Sequence, residues 1–217
     1  MLLGYSLATF ITRIVVLLIA MTIHEYAHAY VAYLAGDTTA ADQGRLTLNP
    51  FVHINWVGFA MFVLIGFGIL GSAPVNPRRM RNPRWGYLAA VAAGPFSNLL
   101  LAILVALPVR LGLLPVAYPI YSQFLPTVAE LVGAMIFWNV LLFVFNLLPV
   151  FPIDGWTIVR MLLPVPARYT WEDLRQTTQY VLFGLIALSF VAPAGLNVLG
   201  LLIGVPTGVI LNILVGR

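Results

Sequence analysis

Ile14-Val15-Val16-Leu17-Leu18-Ile19-Ala20-Met21-Thr22-Ile23-His24-Glu25-Tyr26-Ala27-His28-Ala29-Tyr30-Val31-Ala32-Tyr33-Leu34-Ala35 is an almost wholly apolar or aromatic run, long enough to cross a bilayer as one helix. Its polar interruptions are Thr22, His24, Glu25 and His28. Ionisable groups inside such a segment are costly in hydrocarbon and mark function by default. The spacing supplies the reason. Residues four apart lie about one helical turn apart on one face, so His24 and His28 can grip one zinc ion between them. Glu25, beside the first imidazole, is placed to act as general base on water, the working order of an H-E-x-x-H helix.

The rest of the chain agrees with a membrane setting. It has 217 residues, 61% hydrophobic and 8% charged, where an ordinary globular domain carries about a quarter charged residues. We therefore expect an all-α polytopic membrane protein: a bundle of about five or six transmembrane helices, with a short β-hairpin or re-entrant region after the first. A single membrane-embedded domain spans 1–217, with a core at 7–163 and an accessory C-terminal hairpin at 178–215. All 11 basic residues are Arg. They cluster beside apolar segments, most densely at Arg78, Arg79, Arg81 and Arg84, so the positive charge indicates a cytoplasmic loop and no nucleic-acid partner. Cysteine is absent, which excludes thiolate ligands and Cys nucleophiles. The first residues do not read as a cleavable signal peptide, since no basic stretch precedes the apolar run.

Segment by segment, the first helix runs from about Leu7 to Ala35, ended by Gly36-Asp37-Thr38-Thr39. Residues 36–55 are polar and turn-rich, consistent with a surface β-hairpin. Trp56 to Leu70 is apolar but only about fifteen residues long, where a full span wants about twenty, so it is re-entrant or a short tilted span. Trp85 to Leu114 reads as a long helix kinked or paused at Pro95. Thr127 to Leu148 reads as a further span. Two prolines, Pro149 and Pro152, then break the helix and deliver Asp154 on irregular backbone. Pro164 to Asp173 reads as an amphiphilic loop, and Tyr180–Val191 with Leu196–Val215 as a hairpin broken at Pro193-Ala194-Gly195.

A catalytic zinc keeps three protein ligands and one open position. Of the carboxylates besides Glu25, only Asp154 stands at a broken helix end in apolar surroundings, so it is the best third ligand on chemistry alone. Three separated motifs now coincide: His24-Glu25-x-x-His28, Ala93-Gly94-Pro95-x-x-Asn98, and Asn146-x-x-Pro149-x-x-Pro152-x-Asp154-Gly155. In these the chain resembles the site-2 protease family of intramembrane zinc metalloproteases. Arg45 to Ile54 further resembles that family's compact prokaryotic branch, without a PDZ-like or nucleotide-sensing segment; an Asp commonly stands where this chain has Asn55. The resemblance implies one Zn2+ per chain held by His24, His28 and Asp154, and Glu25 as catalytic base. It also implies hydrolysis of peptide bonds within or near transmembrane segments of membrane proteins or remnant signal peptides.

An oxyanion donor besides the metal would lower the barrier further. His53, Asn98 and Asn146 are the polar candidates for that role or for positioning substrate, and the resemblance favours Asn146 as a holder of substrate backbone. An unwound substrate could add as a strand to the edge of the 36–55 hairpin. With 56–70 re-entrant, colocation of the ligands puts the amino terminus outside and the site nearer the cytoplasmic face of a plasma or inner membrane; a full span at 56–70 would turn the amino terminus inward. Competing readings are another class of membrane zinc peptidase, such as the prenyl-protein proteases, an ion or solute transporter using the His/Glu cluster as an ion site, and an inactive relative, against which the intact Glu25 speaks.

Overall fold

The computed structural model describes residues 5–65, 68, 71–191 and 197–216, and its elements there are helical. In chain order they are α1 (Leu7–Leu34), α2 (Thr39–Asp42), α3 (Trp56–Ile65), α4 (Pro83–Arg110), α5 (Val128–Asn146), α6 (Asp154–Leu162), α7 (Val165–Asp173), α8 (Arg175–Val191) and α9 (Val198–Val215). Four of them, α1, α4, α5 and α9, are long and apolar enough to cross a membrane. That is fewer than the five or six spans expected. The 10 residues of α3 rise only about 15 Å. The 17 residues of α8 begin with the polar run Arg175-Gln176-Thr177-Thr178-Gln179. The expected break at Pro193-Ala194-Gly195 lies outside the described residues.

Helix starts follow local chemistry. Ser6 caps α1 through Thr9 N–H, and Asn82 caps α4 ahead of Pro83 at its first position. Thr127 and Glu130 close a capping box on α5. Of the kink or pause expected at Pro95, the pause does not occur: α4 runs unbroken through it for 28 residues. Pro95 is fully buried, and packing against neighbouring helices offsets the lost bond.

No β-hairpin forms at 36–55; among the described residues there is one isolated antiparallel bridge, between Ile54 and Gly71. Side chains capture this backbone instead. Asp37 accepts from Thr39 N–H and hydroxyl and, at 2.6 Å, from Asn76 N–H. Asn49 caps a 3-10 turn at Pro50–Val52. Such local bonds compete directly with a strand ladder. The 164–173 stretch, expected as a loop, forms α7.

The bundle's directions are fixed by its ends. Ala8 N–H donates to Gln123 O, Arg81 N–H to Ala35 O, and Arg110 Nη1 to Ile213 O. Thus α1 and α5 run one way, α4 and α9 the other. The chain leaves α1 and enters α4 at the same end, and Ile54 pairs with Gly71. Of the two alternatives for residues 56–70, the described part is therefore a re-entrant excursion. Its start packs Phe59, Phe62 and Val63 against Val16, Leu17, Ala20 and Trp138. Small residues, Ala20 on α1, Ala90, Gly94, Ala102 and Ala106 on α4 and Ala134 on α5, let the central helices approach closely.

Candidate metal centre

His24 and His28 occupy one face of α1 and are 3% and 7% exposed. The α5–α6 turn, running through Pro149 and Pro152, brings Asp154 opposite them as the first residue of α6. The two Nε2 atoms lie 3.0 Å apart, and Asp154 Oδ2 lies 3.2 Å and 3.3 Å from them. This triad, distant in sequence, is the group of donors able to hold a metal among the described residues.

The bonds behind the rings decide which atoms face inward. His28 Nδ1 lies 2.8 Å from Ala90 O, a carbonyl that can only accept, so Nδ1 carries the proton and Nε2 presents a lone pair. His24 Nδ1 lies 2.6 Å from Asn98 Oδ1 and takes the same tautomer. Two lone pairs and a carboxylate oxygen thus converge, and Asp154 Oδ2 has no hydrogen-bond donor. Electron-rich atoms at this spacing repel one another unless a cation lies between them. Ligand bonds of about 2.0–2.1 Å in a tetrahedron put neighbouring donors about 3.3 Å apart, which is the spacing seen.

Space for this convergence comes from missing Cβ atoms. A Cβ on Gly94 would lie 2.7 Å from His24 Nε2 and closer still to the His28 ring. One on Gly155 would collide with the carbonyls of Leu147 and Leu148. The glycines of Ala93-Gly94-Pro95 and Asp154-Gly155 are therefore steric requirements of the site.

A cavity of about 330 Å³ opens in front of the triad, and Glu25 lines it with the triad residues and Asn146. Glu25 is 3% exposed, and its Oε2 has no hydrogen-bond partner.

The comparisons with known proteins agree with this chemistry. A Bacillus subtilis protein named "Putative zinc metalloprotease YwhC" is 38% identical over 197 residues, covering 90% of this chain and 87% of the relative. The chain belongs to the YwhC zinc metalloprotease family. A Mycobacterium tuberculosis protein named "Putative zinc metalloprotease Rip2" is 30% identical over 182 residues, 81% of this chain and 65% of that protein. Its Mycolicibacterium smegmatis namesake is 32% identical over 145 residues, 64% of this chain and 52% of that protein. No family model matches the sequence, and no solved structure does.

Within this family member, the three polar candidates occupy different places. Asn146 lines the cavity, and its Nδ2 donates to Leu142 O at 3.0 Å, leaving the amide oxygen and one N–H without a partner among the described residues. Asn98 stands behind His24: its oxygen accepts from the ring, and its Nδ2 donates to Ala20 O at 3.1 Å and Asn139 Oδ1 at 2.9 Å. Both amide hydrogens are engaged, so Asn98 has no donor left for an oxyanion. His53 lies outside the cavity lining and donates through Nε2 to Thr47 O at 2.6 Å, tying the 47–53 turn.

Two features escaped the sequence reading. Asn139 is fully buried in α5 and extends the line of bonds behind His24; its only signal is being the single strongly polar residue between Gly133 and Phe145. Irregular backbone from Gly71 to Asn76, which begins at the bridge with Ile54, runs along the cavity, lining it with Gly71, Ser72, Ala73 and Val75. No periodicity marks so short a stretch.

Proposed function

We propose that this chain is an intramembrane zinc metalloprotease of the site-2 protease type, hydrolysing peptide bonds within or near transmembrane segments. The observation that carries the reading is that His24 and His28, on a helix long and apolar enough to cross a membrane and beside Glu25, meet Asp154 of α6 within 3.3 Å. Its substrates are transmembrane proteins or remnant signal peptides reached through the bilayer of the cell membrane.

Bound at His24, His28 and Asp154, zinc supplies a Lewis acid for the scissile carbonyl and lowers the pKa of water towards about 7. The residues do the rest. Asn98 and the Ala90 carbonyl hold the two imidazoles with Nε2 forward. Glu25, with an unpartnered oxygen in the cavity, takes the proton from the attacking water and returns it to the leaving amine. Asn146 offers its free amide hydrogen and oxygen to substrate backbone. A helical substrate unwinds first, because its carbonyls are otherwise tied up within the helix. The freed strand lies along Gly71–Asn76, which replaces the 36–55 hairpin as the edge for strand addition.

Orientation follows from charge. Arg78, Arg79 and Arg81 are exposed at the end where α1 finishes and α4 begins, which favours that end as cytoplasmic. His28 is six residues from Leu34, about 9 Å along the helix. The site then lies nearer the cytoplasmic face, and the amino terminus lies outside.

The test compares the parent chain with Glu25→Gln and Asp154→Ala, measuring zinc content and the membrane proteome. The parent and Glu25→Gln should each hold about one zinc and Asp154→Ala should lose it, while single-span polypeptides accumulate in both variants. A parent without zinc, or membranes unchanged by Glu25→Gln, refutes the proposal. Zinc retained by Asp154→Ala would point instead to a peptidase class with a different third ligand.

A further inference from the structure

Asn139 lies outside the cavity, one side chain further from it than Asn98, yet its amide is tied into the metal centre. It sits in mid α5, fully buried, and is bonded to Asn98 of α4. Its Nδ2 donates to Met135 O at 2.8 Å, one turn back along its own helix. That carbonyl can only accept, so it fixes the Asn139 amide with nitrogen towards Met135 and oxygen towards Asn98. The oxygen then receives one Asn98 hydrogen at 2.9 Å, and Ala20 O receives the other at 3.1 Å. With both hydrogens taken, Asn98 must turn its oxygen to His24 Nδ1, 2.6 Å away. A flipped Asn98 would put a donor there, force the proton onto Nε2, and remove the lone pair that a metal needs.

We infer that Asn139 is a positioning residue for metal binding: through Asn98 it holds His24 in the tautomer that leaves Nε2 free. The inference rests on the reading of His24, His28 and Asp154 as the metal ligands. Asn139 touches neither the ligands nor the cavity, and it acts across two hydrogen bonds. Partners that orient a ligating imidazole typically change metal affinity by about 10–100-fold. Because Ala20 O still anchors one Asn98 hydrogen, the lower end of that range is expected.

Two substitutions separate orientation from packing. Asn139→Leu keeps the branched heavy-atom shape and removes the acceptor. Asn139→Asp keeps it: buried in this apolar interior the carboxyl is neutral, so its O–H replaces the bond to Met135 and its C=O still accepts from Asn98. Zinc affinity is measured on the purified full chain in nanodiscs by competition with a chromophoric chelator. Nitrogen-15 histidine NMR on the metal-free chain reads the His24 tautomer. The expected result is a Kd about tenfold weaker for Asn139→Leu, with His24 gaining Nε2–H signal, and a Kd within threefold of the parent for Asn139→Asp.

A folded Asn139→Leu with parental Kd and tautomer overturns the inference. So does an Asn139→Asp as weak as Asn139→Leu. Should Asn139→Leu fail to fold, Asn139→Ala takes its place, with the weaker Kd and the gain of Nε2–H signal on His24 expected again and a parental Kd and tautomer overturning the inference; a metal-free parent whose His24 carries its proton on Nε2 contradicts the mechanism outright. A parent that binds no zinc defeats the metalloprotease reading as a whole. A parent that binds zinc, with Asn139→Leu indistinguishable from it, defeats only the role of Asn139.

Discussion

Gly94→Ala adds one methyl group at the place where α4 meets the His pair, and the consequence can be worked from distances. Ordinary contact for a Cβ begins at 3.4 Å, and this one would lie 2.7 Å from His24 Nε2, short by about 0.7 Å. The deficit against the His28 ring is larger. Neither ring can retreat freely: His24 is tied to Asn98 at 2.6 Å and His28 to Ala90 O at 2.8 Å. The methyl must therefore push at least one imidazole by several tenths of an ångström, or drive α4 from α1. Metal–ligand distances tolerate about 0.2 Å, so one ligand is lost and zinc affinity should fall at least about 100-fold. Overpacking alone should cost about 1–3 kcal/mol in the metal-free chain. Zinc also stabilises what binds it, and at saturating zinc a hundredfold loss of affinity removes about 2.7 kcal/mol of that stabilisation. Thermal melts with and without zinc, together with chelator competition, separate the two contributions. Gly184→Ala is the control, because nothing lies within 4 Å of a Cβ there. A Gly94→Ala chain whose Kd stays within threefold of the parent, with an undiminished zinc-dependent shift in Tm, would refute the steric argument.

Two further outcomes follow from the same geometry. Glu130 accepts from Tyr121 N–H, Ser122 N–H and hydroxyl, and Thr127 N–H and hydroxyl at the start of α5; Glu130→Ala should cost about 3 kcal/mol in thermal stability by orphaning those donors, while zinc affinity stays at the parental value. Ala73→Pro removes a backbone donor from the 71–76 segment, and should raise KM or abolish cleavage of a transmembrane substrate with zinc content unchanged; unchanged cleavage kinetics would remove that segment as the substrate edge.

How much of this was legible in the sequence depends on whether a bond is written in spacing or in tertiary contact. The His24–His28 pair was legible because a helix turns a gap of four into adjacency. Asp154 was legible as a chemical remainder, the one carboxylate at a proline-broken helix end. The 36–55 hairpin was misread because turn residues look alike whether they join strands or tie themselves down: Asp37 reaches Asn76, 39 residues away, and no local pattern announces that. Pro95 was read as a kink or a pause from its lost N–H, and of the two the pause is absent, since α4 stays continuous among the helices packed around it. Asn98 was one of three candidates for an oxyanion donor or substrate-positioning group because it is polar near a metal motif. Its true direction is set by the carbonyl of Ala20 and the amide of Asn139, neither of which its own segment contains.

The arrangement also shows how a water-consuming site can exist among apolar helices. Every ring nitrogen that points away from the cavity is bonded to protein, His24 through Asn98 and His28 through Ala90 O. Glu25 Oε2 and Asp154 Oδ2, which have no protein partner, belong to residues on the wall of one cavity. A buried polar atom left unpaired costs about 1–3 kcal/mol, so the fold bears that cost where water or a metal can remove it. Glycine keeps the two halves in contact. Gly71 brings the 71–76 segment against Glu25, where a Cβ would lie 3.1 Å from Oε1, and Gly94 brings α4 against the imidazoles. The cavity is thus walled by backbone at two places, beside Glu25 and beside the imidazoles, and a side chain added at either would crowd those groups directly.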